Sequence, residues 1–295
     1  MSSTKPRIAF LGLGVMGYPM AGHLARAGYP VTVFNRSEEK ARRWVSEYSG
    51  AMAVTPATAA QDADIIALCV GRDEDVREVI FGHSGIAETI KAGSVVVDHT
   101  TTSAELAREM AQQLKKQSVE FLDAPISGGQ IGAERGQLSV MVGGDHASLS
   151  SIEAVLQCYG RCVQYIGSSG SGQLAKMVNQ ICIAGVVQGL AEGLHFASNA
   201  GLDIEAAIAV ISQGAAQSWQ MQSRHKTMIA GEYNHGFAVD WMRKDLGYTL
   251  AEARRNGSQL PLTALVDQFY GEVQALGGGR WDTSSLLARL EAFRK

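Results

Sequence analysis

The sequence predicts a doubly wound, mainly parallel α/β sheet followed by an all-α domain, the two joined by one long interdomain helix. Three observations predict it. Short runs rich in Val and Ile recur between Arg7 and about Ile166 with helical patterns between them, the texture of a parallel sheet covered on both faces. After Gly167 the apolar residues fall at helical spacing instead. The length, 295 residues, exceeds what one core usually serves. The expected domains are therefore residues 1–166 and 167–295.

Taken in order, "RIAFLGL" is the first strand. It runs into Gly12-Leu13-Gly14-Val15-Met16-Gly17, a G-x-G-x-x-G turn, and then into a helical pattern. "PVTVFN" is the second strand and ends in Asn35, Arg36 and Ser37. "ADIIALCV" closes on Cys69 and Val70, and "GSVVVDHT" leads through Thr101 to a helix beginning near Ala104. "VEFLDAP", "LSVMVGG" and "VQYIG" complete the sheet. From Ser171 to Ala200 the pattern is one helix, about 45 Å long at 1.5 Å per residue, stopped by Gly201.

Composition narrows the function classes. With 46% hydrophobic and 19% charged residues and a net charge of −3, the chain has no general attraction for polyanions, so no nucleic-acid partner is expected. The N-terminus lacks a secretory pattern. The apolar stretch Met177 to Ala197 contains Asn179, Gln180, Gln188, Glu192 and His195, too polar for hydrocarbon, so it reads as a buried soluble helix with no membrane partner. Cys69, Cys158, Cys162 and Cys182 show no paired spacing. They read as small core hydrophobes in a reducing compartment, with cytoplasm the default. The seven histidines show no ligand spacing, so no metal is expected, and His99 receives no role.

The glycine turn between strand and helix is the arrangement that lets a backbone approach a pyrophosphate at a helix N-terminus, as in Rossmann-type domains. At the end of the second strand an acidic residue would favour a free 2′-hydroxyl. Arg36 stands there between Asn35 and Ser37 and suits a 2′-phosphate, so NADP(H) is the expected cofactor. Arg36 as a solvated turn residue is the other reading. Lys176 is a cation in an otherwise apolar helix, sharing a face with Asn179, Gln180 and Ile183. It reads as a catalytic ammonium or as a lysine whose stem packs while its head reaches water.

Four motifs together resemble the β-hydroxyacid dehydrogenase family, whose members include 3-hydroxyisobutyrate dehydrogenases, tartronate semialdehyde reductases and glyoxylate/succinic semialdehyde reductases. They are "GLGVMGYPMAGHLARAGY", "DAPISGGQIGAERGQLSVMVGG", "GSGQLAKMVNQ" and "RKDLGYTLAEA". The resemblance implies that Lys176 is the catalytic lysine, that Ser127, Gly128 and Gly129 hold a substrate carboxylate, and that Thr101 and Lys244 touch the cofactor. Without it, Thr101 could cap the following helix, Lys244 could be a solvated helix charge, and the glycines a structural turn. Asn179 and Gln180 would face substrate, Gln180 standing where many relatives carry a second asparagine. Trp219, Phe237 and Asp240 would wall the pocket, and a homodimer or homotetramer is implied. Cys69-Val70-Gly71 replaces the family's Met-Leu-Pro. The expected activity is NADPH-dependent, reversible reduction of small aldehyde acids. The alternatives are an imine reductase-like enzyme or a non-catalytic NADP-binding scaffold.

Overall fold

Residues 5–292 are described by the computed structural model, and they divide into two units, the first ending at Lys176 and the second beginning at Met177. In the first unit the strands are β1 (Ile8–Leu11), β2 (Val31–Phe34), β3 (Ala51–Met52), β4 (Ile65–Leu68), β5 (Val95–Asp98), β6 (Glu120–Asp123), β7 (Ile126–Ser127), β8 (Leu138–Gly143) and β9 (Gly160–Gly167). They form one sheet in the order β3-β2-β1-β4-β5-β6-β8-β7, with β9 on β8. Pairing is parallel from β3 through β6, β8 runs antiparallel to β6 and β7, and β9 runs parallel to β8. Chain order reverses across β1, which has β2 on one side and β4 on the other. That reversal opens a crevice at the carboxyl ends of β1 and β4, where ligands of such sheets bind.

Seven helices cover the sheet: α1 (Gly17–Arg26), α2 (Glu38–Glu47), α3 (Pro56–Ala60), α4 (Asp73–Phe81), α5 (Ala104–Lys115), α6 (Gly129–Glu134) and α7 (His146–Leu156). The central strands β1 and β4 read as unbroken apolar runs because both faces are buried. Ile8 and Phe10 join Met20, Leu24 and Trp44 on one face, while Ala9 and Leu11 join Ile66, Val96 and Met110 on the other. The two-residue strands β3 and β7 are too short to leave a pattern, and the sequence did not reveal them.

Helix α8 (Ser171–Asn199) carries the chain into the second unit, which adds α9 (Ile204–Ile211), α10 (Trp219–Ile229), α11 (Val239–Asn256), α12 (Pro261–Ala275) and α13 (Leu286–Ala292). Gly201, with φ +69°, ends α8 by donating to Ser198, as its place in the sequence indicated. The core of this unit gathers Ala184, Val187 and Leu194 of α8 with Met242 and Leu246 of α11 and Val266 and Tyr270 of α12. Gln180 and Gln188 are buried within it, the latter donating to Glu192 at 2.6 Å.

The first turns of α8 are hydrogen-bonded into the sheet unit, so the chain groups with that unit as far as Lys176. The cysteines also depart from expectation. All four are free thiols, but Cys69 and Cys158 are only half-buried and Cys162 and Cys182 are exposed. Cys162 lies on β9, whose residues alternate between water and protein, and Cys182 lies on an outer face of α8.

Candidate active site

Three glycines shape the turn after β1, each for its own reason. A Cβ on Gly12 (φ +101°) would stand 2.2 Å from the Cys69 carbonyl oxygen, and one on Gly17 would stand 2.0 Å from that of Gly12. One on Gly14 would meet nothing within 4 Å. Gly12 and Gly17 are therefore required by the protein's own packing, and Gly14 leaves open backbone for an incoming phosphate. Among the residues read as cofactor contacts, Asn35 has a supporting task. Its Oδ1 accepts from Leu13 N at 2.9 Å and its Nδ2 donates to Ser37 O at 2.9 Å, tying the turn to the end of β2. Val15 is exposed, Met16 is half-buried, and the N-terminus of α1 carries no side-chain cap. Tyr18 N and Met20 N are taken by the Gly14 and Met16 carbonyls and Pro19 has no N–H, so an anion would meet the turn's backbone and the positive end of the helix dipole. Arg36 is almost fully exposed, its Nη1 4.0 Å from Asp75 Oδ1. Open backbone at Gly14, an uncapped helix start and a nearby guanidinium fit a nicotinamide dinucleotide.

At the far side of the crevice, Val70 N donates to Thr100 Oγ1 at 3.0 Å. Gln173, fully buried on α8, accepts from Thr102 N at 3.0 Å through Oε1 and donates to Thr100 O at 2.8 Å through Nε2. Thr101 is thus held between two residues anchored by one amide. It does not cap α5: Ser103 does, its Oγ accepting from Leu106 N. Lys176 lies three residues beyond Gln173, on the same side of the helix, and is 8% exposed. Most of the side chain, stem included, is therefore covered by protein.

The second anchor of α8 is Asp123, at the end of β6 and fully buried. Its Oδ1 accepts from Gly170 N at 2.7 Å and its Oδ2 from Gln173 N at 2.9 Å. Burial pushes its carboxyl up to about 6, against the pull of those hydrogen bonds. Four residues on, Ser127 closes β7, and Gly128 (φ +130°) and Gly129 (φ +63°) open α6. Side chains disfavour such φ values, and backbone N–H groups gathered at a turn of this kind form a concavity suited to a carboxylate. The Asp123 side chain and the Ser127–Gly129 turn therefore come from one short segment.

His99, left without a role by sequence, proves to be a buried clamp. Its Nδ1 lies 2.8 Å from the Ala124 carbonyl, which can only accept, so Nδ1 carries the proton and Nε2 accepts from the Tyr159 hydroxyl at 2.9 Å. The rings meet edge to face. Burial lowers the imidazole from its ordinary 6.5 to about 4. The unfolded chain binds a proton at His99 in this window and the folded chain does not. The stabilisation from neutral His99 is therefore complete above pH 6.5 and is lost as pH falls toward 4, up to about 3 kcal/mol. His99→Gln should flatten that part of the curve, read as the difference in denaturation midpoint between variant and wild type at pH 7 and pH 4.5. An unchanged difference would contradict the clamp.

The second unit contains the remaining sequence-selected residues. Gln180, 1% exposed, donates from Nε2 to Asp245 Oδ2 at 2.6 Å and contacts Met242 Sδ at 3.7 Å, while its Oε1 accepts from Asn179 at 2.8 Å. The expected substrate-facing amide is therefore committed to α11, because its longer stem reaches a buried carboxylate there. Lys244 Nζ sits 3.2 Å from Asp245 Oδ1 and 5.6 and 5.5 Å from the Trp241 and Tyr248 ring centres; it is not a solvated charge. Asp240 accepts from Gln274 Nε2 at 2.6 Å, and its backbone N–H bonds the Gly279 carbonyl. These bonds tie the start of α11 to the end of α12 and the turn after it. Trp219 and Phe237 are exposed and belong to one assembly around Asp282, which sequence reading missed. Asp282 accepts from Arg224 Nε at 3.2 Å and from Phe237 N at 2.8 Å, and Arg224 lies over the Trp219 ring. Among the described residues no cluster of metal-ligating side chains occurs.

Comparison with known proteins follows this geometry. Residues 7–167 match the family model of the NAD binding domain of 6-phosphogluconate dehydrogenase, and residues 170–290 that of the NAD-binding domain of NADP-dependent 3-hydroxyisobutyrate dehydrogenase. An uncharacterized oxidoreductase of Shewanella frigidimarina is 61% identical over 98% of this chain and 99% of its own. The 2-hydroxy-3-oxopropionate reductase of Escherichia coli is 35% identical over 97% of both chains. The solved 3-hydroxyisobutyrate dehydrogenase of Mycobacterium tuberculosis with L-serine has a TM-score of 0.86 at 27% identity, covering 97% of this chain and 99% of that one.

Proposed function

The chain belongs to the β-hydroxyacid dehydrogenase family of NAD(P)-dependent oxidoreductases, and from that premise we propose that it is an NADP(H)-dependent reductase of small aldehyde acids, reversible toward the hydroxy acids. Glyoxylate, succinic semialdehyde, tartronate semialdehyde and methylmalonate semialdehyde are the substrates of this type. The observation that carries the reading is Lys176, buried on a helix whose preceding turn is fixed to the Thr100–Thr102 loop by Gln173 and to β6 by Asp123. Bound NADPH supplies the hydride. As negative charge develops on the carbonyl oxygen, the Lys176 ammonium stabilises it and delivers the proton. Ser127, Gly128 and Gly129 take the substrate carboxylate. The lysine favours a carbonyl substrate over an imine and argues for catalysis over a scaffold role.

Preference for NADP(H) rests on Arg36. Its pairing with Asp75, 4.0 Å away at the surface, is worth at most about 1 kcal/mol, so a 2′-phosphate can displace it. A charge-assisted hydrogen bond gained there corresponds to about a 10- to 100-fold lower KM for NADPH than for NADH, and Arg36→Ala should narrow the gap. Initial rates with each of the four aldehyde acids and both cofactors, followed at the nicotinamide absorbance, test the whole reading. Equal KM values would remove the cofactor preference. Oxidation of neither cofactor by any of the acids would remove the reaction.

A further inference from the structure

We propose that Asp123 is the positioning residue for Lys176: its carboxylate holds the first turn of α8 in place. This deepens the function proposed above and rests on it.

The hold is built around the carboxylate. Oδ1 accepts from Gly170 N at 2.7 Å and Oδ2 from Gln173 N at 2.9 Å, with the Gly172 and Asp123 amides adding to the hold. These donors flank the start of a 29-residue helix, where a negative charge is favoured by the helix dipole. Two glycines make room for it. A Cβ on Gly143 would lie 2.6 Å from Oδ1, and one on Gly172 would lie 2.9 Å from Oδ2. Gln173, whose main chain Asp123 fixes, is the residue whose side chain grips Thr100 and Thr102. Lys176 follows three residues later. A protonated carboxyl keeps one good acceptor oxygen instead of two, so loss of the charge releases one of the two amides.

Asp98 is the register partner of Asp123 on the adjacent parallel strand and is itself buried, with Oδ1 accepting from Thr100 N at 2.9 Å. Burial, with the Asp123 charge beside it, brings Asp98 up to about 7, so Asp98 takes up a proton before Asp123 does, at about 6. The other charged groups near this pair are few. Asp73 of α4 acts on Asp98, and Arg108 of α5 lies beside Gly170. Lys176 is the cation of α8 nearest in sequence, β8 contributes Gly143, and His146 and Glu153 of α7 are exposed.

The experiment uses the full-length enzyme and two variants, Asp123→Asn and Asp98→Asn. Asp123→Asn should speed amide exchange at Gly170 and Gln173–Lys176. It should also lower kcat by about 10- to 100-fold, with KM for NADPH within about twofold of wild type, because misplacement of a catalytic group by about 1 Å costs that much. A role limited to stability would not separate kcat from KM. Asp98→Asn leaves both Asp123 acceptors in place, so exchange at those amides should stay within about twofold of wild type. Unchanged exchange in Asp123→Asn, an undiminished kcat, or equally fast exchange in Asp98→Asn would overturn the positioning role. If Asp123→Asn does not fold, protection at Gly170 and Gln173 in the wild type that stays the same, after correction for intrinsic exchange, as pH falls through about 6 overturns it instead. Lack of turnover in the wild type would count against the proposed reaction alone, since exchange reports on the helix start without substrate.

Discussion

Lys176→Ala should lower kcat by about 10²- to 10⁴-fold while leaving the dissociation constant for NADPH nearly unchanged. The size follows from removing a positioned proton donor and a charge that strengthens its interaction as the oxyanion forms. Selectivity follows from location. The groups proposed to take the nucleotide lie on other segments: Asn35 is committed to Leu13 N and Ser37 O, and Arg36 lies beside Asp75. Lys176→Arg keeps a charge but changes its shape and pKa, so it should recover little proton transfer. Steady-state rates beside a fluorescence titration of NADPH separate the two effects. Wild-type turnover in Lys176→Ala would remove the lysine from the mechanism, and loss of NADPH binding would reassign it to the cofactor.

The glycine turn gives the second large effect, and it has an internal control. Gly17→Ala places a methyl 2.0 Å from the Gly12 carbonyl oxygen and 3.0 Å from Phe10. Both are core backbone and ring atoms that cannot move aside cheaply, so stability should fall by about 3 kcal/mol and cofactor binding with it. Gly14→Ala puts the methyl in open space. Its folded state should be nearly as stable as wild type, yet KM for NADPH should rise by about tenfold or more, because the methyl occupies the pyrophosphate approach. Thermal denaturation and cofactor titration of both variants check the pair. Equal destabilisation by the two would contradict the division of roles among the glycines.

The contrast between these residues and others shows what sequence can convey. A G-x-G-x-x-G turn is a local constraint, legible because strand, turn and helix lie within a dozen residues. The parallel sheet was legible for a similar reason: strands buried on both faces carry unbroken apolar runs such as Ile65–Leu68. Lys176 was legible as an anomaly, a cation in an apolar helix. Residues whose meaning depends on a distant partner were not. His99 waits on Tyr159, sixty positions later, and Gln180 is claimed by Asp245, sixty-five positions later. Asp123 reaches forward 47 and 50 residues to its amides, so the quoted motif showed the aspartate without its task. For the same reason Asp240 and Asp282 could not be assigned from helical spacing alone. Their side-chain partners, Gln274 and Arg224, lie on other helices 34 and 58 positions away.

At the centre of this account is one division of labour: main-chain groups at Ser127–Gly129 hold a carboxylate while Lys176 serves the aldehyde. The measurement that tests it most directly compares succinic semialdehyde with butanal, which shares the aldehyde but lacks the carboxylate, at saturating NADPH. The account predicts that kcat/KM for succinic semialdehyde is higher by about 10²-fold or more, the value of losing charge-assisted hydrogen bonds in the transition state. Equal values for the two aldehydes would contradict it.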